Sequence, residues 1–202
     1  MTLTHDDVAT TDGRRRRAHA SREAIVEALV ALYADGHADP SAAEIAERAG
    51  VSERSLFRHF DDIDDLCHTA FEVQWSRLAE RTTVSIVDTA PLRERVEHMV
   101  SRRVMLYLDM LNVMRITRMH AVKNKTVADH VRASRRELRR QHERSFAPEL
   151  NAMTSESAQA AKLAIDALLS FEHVEQLRLD QALSPARIET GLTSALLHVL
   201  TH

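Results

Sequence analysis

Apolar residues recur at helical spacing along most of the chain, and nowhere do they alternate with the period of two expected of a strand. Residues 18–34 carry the first stripe, Ile25, Ala28, Leu29, Leu32 and Tyr33, and Gly36 closes it. Over residues 41–60, Ile45, Ala46 and Ala49 form a short stripe, and Leu56 and Phe60, four apart, form another. Ser41 and Glu44 have the spacing of a capping box, and Pro40 precedes them. Gly50 suits the left-handed end of a helix, Val51 turns inward, and Ser52 is placed to cap the next helix. The pattern predicts two short helices around a tight turn. Glu53, Arg54, Ser55, Arg58 and His59 are left facing away from the core. That is the layout of a helix-turn-helix that reads DNA, packed beneath the helix of residues 18–34.

Downstream, Asp61 and Asp62 cap a fourth helix whose buried side is Ile63, Leu66, Ala70 and Val73. Residues 82–91 read as a boundary. A helix over 92–108, a Met-rich stretch to 122, a loop at 123–125 and a basic helical segment over 127–146 follow. Residues 148–154 read as a second loop. Ser155 or Ser157 caps a helix running to about 179, and Pro185 starts the last one. The chain is therefore expected to be all-α, with about nine helices. Four Gly and four Pro, in a sequence dominated by good helix formers, agree with that.

Composition narrows the partners. The net charge of −3 excludes binding driven by bulk positive charge, so any DNA contact is local. The one cysteine, Cys67, excludes an intramolecular disulfide framework and fits a reducing cytoplasm. No apolar run reaches the roughly 18 residues needed to span a bilayer. Arg22, Glu23 and Glu27 follow the basic cluster too closely for a secretory signal. Residues 1–16 read as a disordered arm ending in Arg14, Arg15, Arg16 and, just beyond, Arg17. The arm is either a solvated tail or a contact to phosphates or the minor groove.

The run GHADPSAAEIAERAGVSERSLFRHFDDIDDL, residues 36–66, resembles the N-terminal domain of TetR-type (tetracycline-repressor-like) transcriptional regulators. The glycine before the second helix, the IAERAGVS turn and the His–Phe ending of the reading helix carry the resemblance. It implies a DNA-binding domain over residues 17–62 and a helical ligand-binding and dimerisation domain over 63–202. It implies a homodimer through the last two helices, about 155–180 and 185–201, on a palindromic double-stranded DNA operator. It implies, too, a largely apolar small-molecule effector bound in the C-terminal domain, which alters or releases the DNA. By position, Ser41, Glu53, Arg54, Ser55, Phe57, Arg58 and His59 match DNA-contacting positions. Phe57 stands where a tyrosine is usual, and Ile63 where a lysine is usual, among Asp61, Asp62, Asp64 and Asp65.

The reading helix, about 12 Å long at roughly 1.5 Å per residue, is comparable in length to the width of the major groove. Arg54 or Arg58 is suited to a bidentate contact with guanine. Met99, Met105, Met110, Met114 and Met119, with Tyr107, are either ordinary core or the lining of an adaptable cavity. Trp75, Phe146 and Phe171 are candidates for the same pocket, and Arg103, Arg115 or Arg118 for a polar anchor in it. The arginines over residues 132–144 read as a solvated face. The twelve histidines do not gather along the chain, so no metal is expected. No phosphate loop, nucleophile elbow or Glu-x-x-His pair points to an enzyme or a cofactor. Two readings stay open: a ligand-responsive dimeric repressor, and a ligand-independent DNA-binding regulator whose C-terminal core is filled.

Overall fold

The computed structural model describes residues 5–82 and 90–201; the side chains of 5–17, Trp75 and 78–82 lie outside the description. Eleven helices are seen among the described residues: α1 (His5–Ala34), α2 (Ala42–Ala49), α3 (Glu53–His59), α4 (Ile63–Thr82), α5 (Leu92–Asp109), α6 (Leu111–Lys123), α7 (Lys125–Ser145), α8 (Ala147–Ala152), α9 (Ser155–Leu168), α10 (Phe171–Leu179) and α11 (Pro185–Thr201). The helical chain forms two compact units. One is residues 1–74 with 115–128, and the other is residues 75–114 with 129–202. The boundary expected at residue 62 thus falls inside the first unit.

In the first unit α1 lies across α2 and α3. Ile25, Leu29, Leu32 and Tyr33 are buried with Ile45, Ala46, Leu56, Phe60, Leu66 and Cys67. Each large aliphatic side chain so buried contributes roughly 1.5–3 kcal/mol. In the second unit α11 packs on α5 and α9, and α10 packs on α5. Ile188, Leu192, Leu196 and Leu200, spaced by four, present one buried edge of α11. They share a core with Val96, Met99, Val100, Val104, Tyr107, Phe146, Ile165 and Phe171.

The structure has more helices than the roughly nine expected, for local reasons. The long helix expected over 155–179 is two helices. Ser170 Oγ accepts from His173 N at 3.2 Å and donates to Ala167 O at 2.8 Å, so it caps α10 while closing α9. Thr154, not Ser155 or Ser157, caps α9, with Oγ1 accepting from Ser157 N at 3.2 Å. The expected loop at 148–154 contains the short α8, with Pro148 in its first turn, where its missing N–H costs nothing. Helix α1 starts at His5, whereas residues 1–16 read as disordered. Extending an already packed helix adds one bond per residue without a new nucleus, and arginine is a good helix former. Residues 1–4, and the placement of the Arg14, Arg15, Arg16 and Arg17 side chains, lie outside the description.

Candidate nucleic-acid interface and a buried polar centre

The turn between α2 and α3 is built by short-range hydrogen bonds. Ser41 Oγ accepts from Glu44 N at 3.3 Å, and Glu44 Oε2 accepts from Ser41 N at 2.8 Å, completing the capping box. The Ser41 hydroxyl, which donates to Glu44 Oε2, and then the Ser41 N–H hold the exposed Glu44 carboxyl below its ordinary pKa. Gly50 ends α2 at φ 67°, in the left-handed region, and its N–H returns to the last turn. Ser52 Oγ accepts from Ser55 N at 3.2 Å to start α3. Asp62 Oδ1 accepts from Asp65 N at 2.8 Å, capping α4 as expected.

These caps orient α3 with Leu56 and Phe60 buried and Glu53, Arg54, Phe57 and Arg58 exposed. Phe57 is 48% exposed. Arg58 Nη2 donates to Ser55 Oγ at 2.8 Å. Ser41 is exposed, but its hydroxyl donates to Glu44 Oε2 at 2.7 Å, so a phosphate would have to draw it out of the capping box. His59 departs from the outward orientation expected of it. Its Nε2 is buried with no hydrogen-bond partner among the described residues. Burial, then the charges of Arg58 and Arg22, lower its pKa and favour the neutral ring.

Arg22 is a residue that the pattern did not single out. Its guanidinium lies 4.8 Å from the centre of the Phe60 ring, and its Nη2 donates to Thr69 Oγ1 at 3.1 Å. It therefore braces the end of α3 from α1. Tyr33 joins a second brace: its hydroxyl is 3.1 Å from Cys67 Sγ and 3.2 Å from His120 Nε2. Burial first, then Cys67, raises the Tyr33 pKa.

In the second unit, Met99, Tyr107, Phe146 and Phe171 are buried together, and Met110 and Met114 are half-buried against the same core. Tyr107 donates to Leu169 O at 3.0 Å and meets Phe171 edge-to-face, with ring centres 5.6 Å apart. Arg103 is fully buried. Its Nε donates to His142 Nε2 at 3.4 Å and its Nη2 to Gln141 Oε1 at 2.7 Å. His142 Nδ1 in turn faces Asp166 Oδ1 at 3.2 Å, and Arg139 Nε donates to Asp166 Oδ2 at 2.5 Å. Burial favours a neutral Asp166, but the bonds from His142 and Arg139 outweigh it and hold the carboxyl below its usual range. Sequence reading named Arg103 but not Gln141, His142 or Asp166. The spacing Arg95, Met99, Arg103, Tyr107, every fourth residue, was the available signal that these share a face. The basic face of α7 is largely paired: Arg132 with Asp129, Arg135 with Glu172, and Arg140 and Arg144 with Glu137. The side chain of Trp75 lies outside the description.

No helix among the described residues is long and apolar enough to cross a membrane. No curated protein sequence matches the chain. Residues 25–70 match the family described as bacterial regulatory proteins, tetR family. Among solved structures, a transcriptional regulator from Rhodococcus sp. Rha1 superposes with a TM-score of 0.72 at 18% identity, covering 89% of this chain and 95% of that one. A TetR-like transcriptional regulator from Rhodococcus sp. RHA1 superposes with a TM-score of 0.65 at 16% identity, covering 89% and 95%. At such identities the likeness is one of fold. Residues 25–70 thus carry the reading-head domain of the bacterial regulatory proteins of the tetR family, and the all-helical fold that continues beyond it is shared with solved structures of transcriptional regulators.

Proposed function

We propose that the protein is a ligand-responsive dimeric repressor that sets α3 of each subunit into successive major grooves of a palindromic operator. The observation that carries DNA reading is the two-sidedness of α3: Leu56 and Phe60 buried, Arg54, Phe57 and Arg58 exposed. Arg54 or Arg58 reaches guanine O6 and N7, and Phe57 offers its ring to a thymine methyl. Ser41 and Ser55 position the head on phosphates, and Glu53 flanks the bases. Arg14, Arg15, Arg16 and Arg17 supply further phosphate contacts that the acidic start of α4 does not. Dimerisation through the helices of residues 155–180 and 185–201 covers the exposed Leu163, which Ala160 and Ala167 flank at helical spacing on α9. The effector is taken up among Met99, Arg103, Tyr107, Met110, Met114, Phe146, Phe171 and Trp75.

A footprint on a selected operator tests this reading. Arg58→Ala is expected to weaken operator binding about tenfold or more, from the 1–3 kcal/mol of a bidentate base contact, and to leave thermal stability unchanged. An unchanged footprint would show that α3 is not the reading helix. The burial of Met99, Tyr107, Phe146 and Phe171, with the Tyr107 hydroxyl already committed, favours a second reading in which the core is filled and no ligand acts. A small molecule that shifts operator affinity decides between them.

A further inference from the structure

Arg95 and Arg103 lie two turns apart on one face of α5, and both are buried, at 4% and 0% exposure. Arg95 is fully answered. Its Nε donates to Ala90 O, its Nη1 to Ser145 O, and Nη1 and Nη2 grip the Glu149 carboxylate. Arg103 has no such counter-ion. Its Nε and Nη2, on one edge of the guanidinium, end on the neutral acceptors His142 and Gln141. On the other edge, Nη1 is buried with no hydrogen-bond partner among the described residues.

A guanidinium does not lose its proton in a protein, so this is a buried positive charge with open donors. Such a group is costly unless an acceptor meets it. Asp166 reaches Arg103 only through the His142 ring and also serves Arg139. The linked groups therefore hold two guanidinium charges and one carboxylate. What completes them is an anionic acceptor at Nη1. Its surroundings are apolar: Met99 and Tyr107 flank Arg103 by one turn on α5, Phe146, just past the end of α7, donates its N–H to His142 O, and all three side chains are fully buried. The Tyr107 hydroxyl is already engaged with Leu169 O.

We propose that Arg103 Nη1 receives the carboxylate of a largely apolar effector, with Gln141 and His142 holding the opposite edge of the guanidinium. A carboxylate is planar, matches the guanidinium fork and takes its apolar body into the core. The proposal rests on the ligand-responsive reading above and gives that ligand its chemical class.

The test uses the full-length protein with octanoate, its neutral counterpart octanamide, and inorganic phosphate. Thermal unfolding and operator affinity are the readouts. Octanoate is expected to raise the Tm saturably, binding at least tenfold more tightly than octanamide, while phosphate has no effect. Arg103→Met is expected to remove the preference for octanoate. Gln141→Glu places a carboxylate beside Nη2 without opening a cavity, and is expected to remove the same preference. It keeps the test decisive if Arg103→Met does not fold. Equal binding of octanoate and octanamide, no binding of octanoate, an equal effect of phosphate, or a preference retained in Gln141→Glu would each overturn the assignment. Operator affinity that responds to octanamide alone overturns the carboxylate and leaves ligand response standing. Operator affinity and Tm that respond to none of the three overturn both.

Discussion

Arg103 Nε donates to His142 Nε2 at 3.4 Å inside the second unit, and this one bond decides the state of the imidazole. Because Nε2 accepts, the ring proton belongs on Nδ1, which faces Asp166 at 3.2 Å. Burial, with Arg103 and Arg139 adding to it, outweighs Asp166 and holds the His142 pKa below its ordinary value.

Stability should therefore fall on mild acidification. The unfolded imidazole takes its proton near pH 6.5 and the folded one only at lower pH, so below about 6.5 the unfolded state binds more protons. The contribution is complete above pH 6.5 and is lost as pH falls from there through the folded pKa. From one group the slope is at most about 1.4 kcal/mol per pH unit. Urea unfolding at pH 7.5, 6.5 and 5.5 should show this slope, and His142→Gln should flatten it. His59, also lowered, requires His59→Gln as a parallel control. An identical slope in His142→Gln would assign the effect elsewhere.

Arg95 and Glu149 form a buried ion pair, at 5% and 17% side-chain exposure. Arg95→Met leaves the Glu149 carboxylate and Ser145 O without their donor. It should cost about 3 kcal/mol, as for other half-broken buried pairs. The double replacement Arg95→Met with Glu149→Leu should recover most of that loss. Chemical denaturation of the two variants measures the difference, and equal losses would mean that the pair is effectively solvated.

Gly50 sits at φ 67° with nothing within 4 Å of the place where a Cβ would stand. Gly50→Ala therefore meets no clash, and its cost is backbone strain alone, about 1 kcal/mol. Gly50→Asn should cost less, since asparagine tolerates this conformation better. Melting temperatures of both variants test the order. Operator affinity at a temperature where both are folded should stay close to that of the parent.

Cys67 is buried, and its Sγ is 3.1 Å from the Tyr33 hydroxyl. Burial raises the thiol pKa, against the opposing effect of the Tyr33 bond, so little thiolate is present near neutrality. The native protein should react with an aromatic disulfide reagent at least about a hundredfold more slowly than the denatured chain. Tyr33→Phe should cost about 1 kcal/mol through its lost partners and should speed the reaction by increased opening. Fast labelling of the native parent would contradict the burial of this thiol.

What the sequence by itself determined lies within about four residues of chain. The Ser41–Glu44 box, the left-handed Gly50, the Ser52 cap and the inward Leu56 and Phe60 all follow from helix geometry, and the structure has them as expected. Helix ends were less legible where two caps compete within one turn: Thr154 outranks Ser155 and Ser157, and Ser170 divides a stripe that reads as continuous. Tertiary structure alone decided which arginines are buried. Arg95 reads like any surface arginine, and Arg103 stands apart from Arg115 and Arg118 only in the folded chain, because the partners Glu149, Gln141 and His142 lie 38 to 54 residues away. It also turned His59 inward and set Arg22 over Phe60, because a side chain's solvation depends on which helix is folded against it. Spacing along one helix does not contain that information.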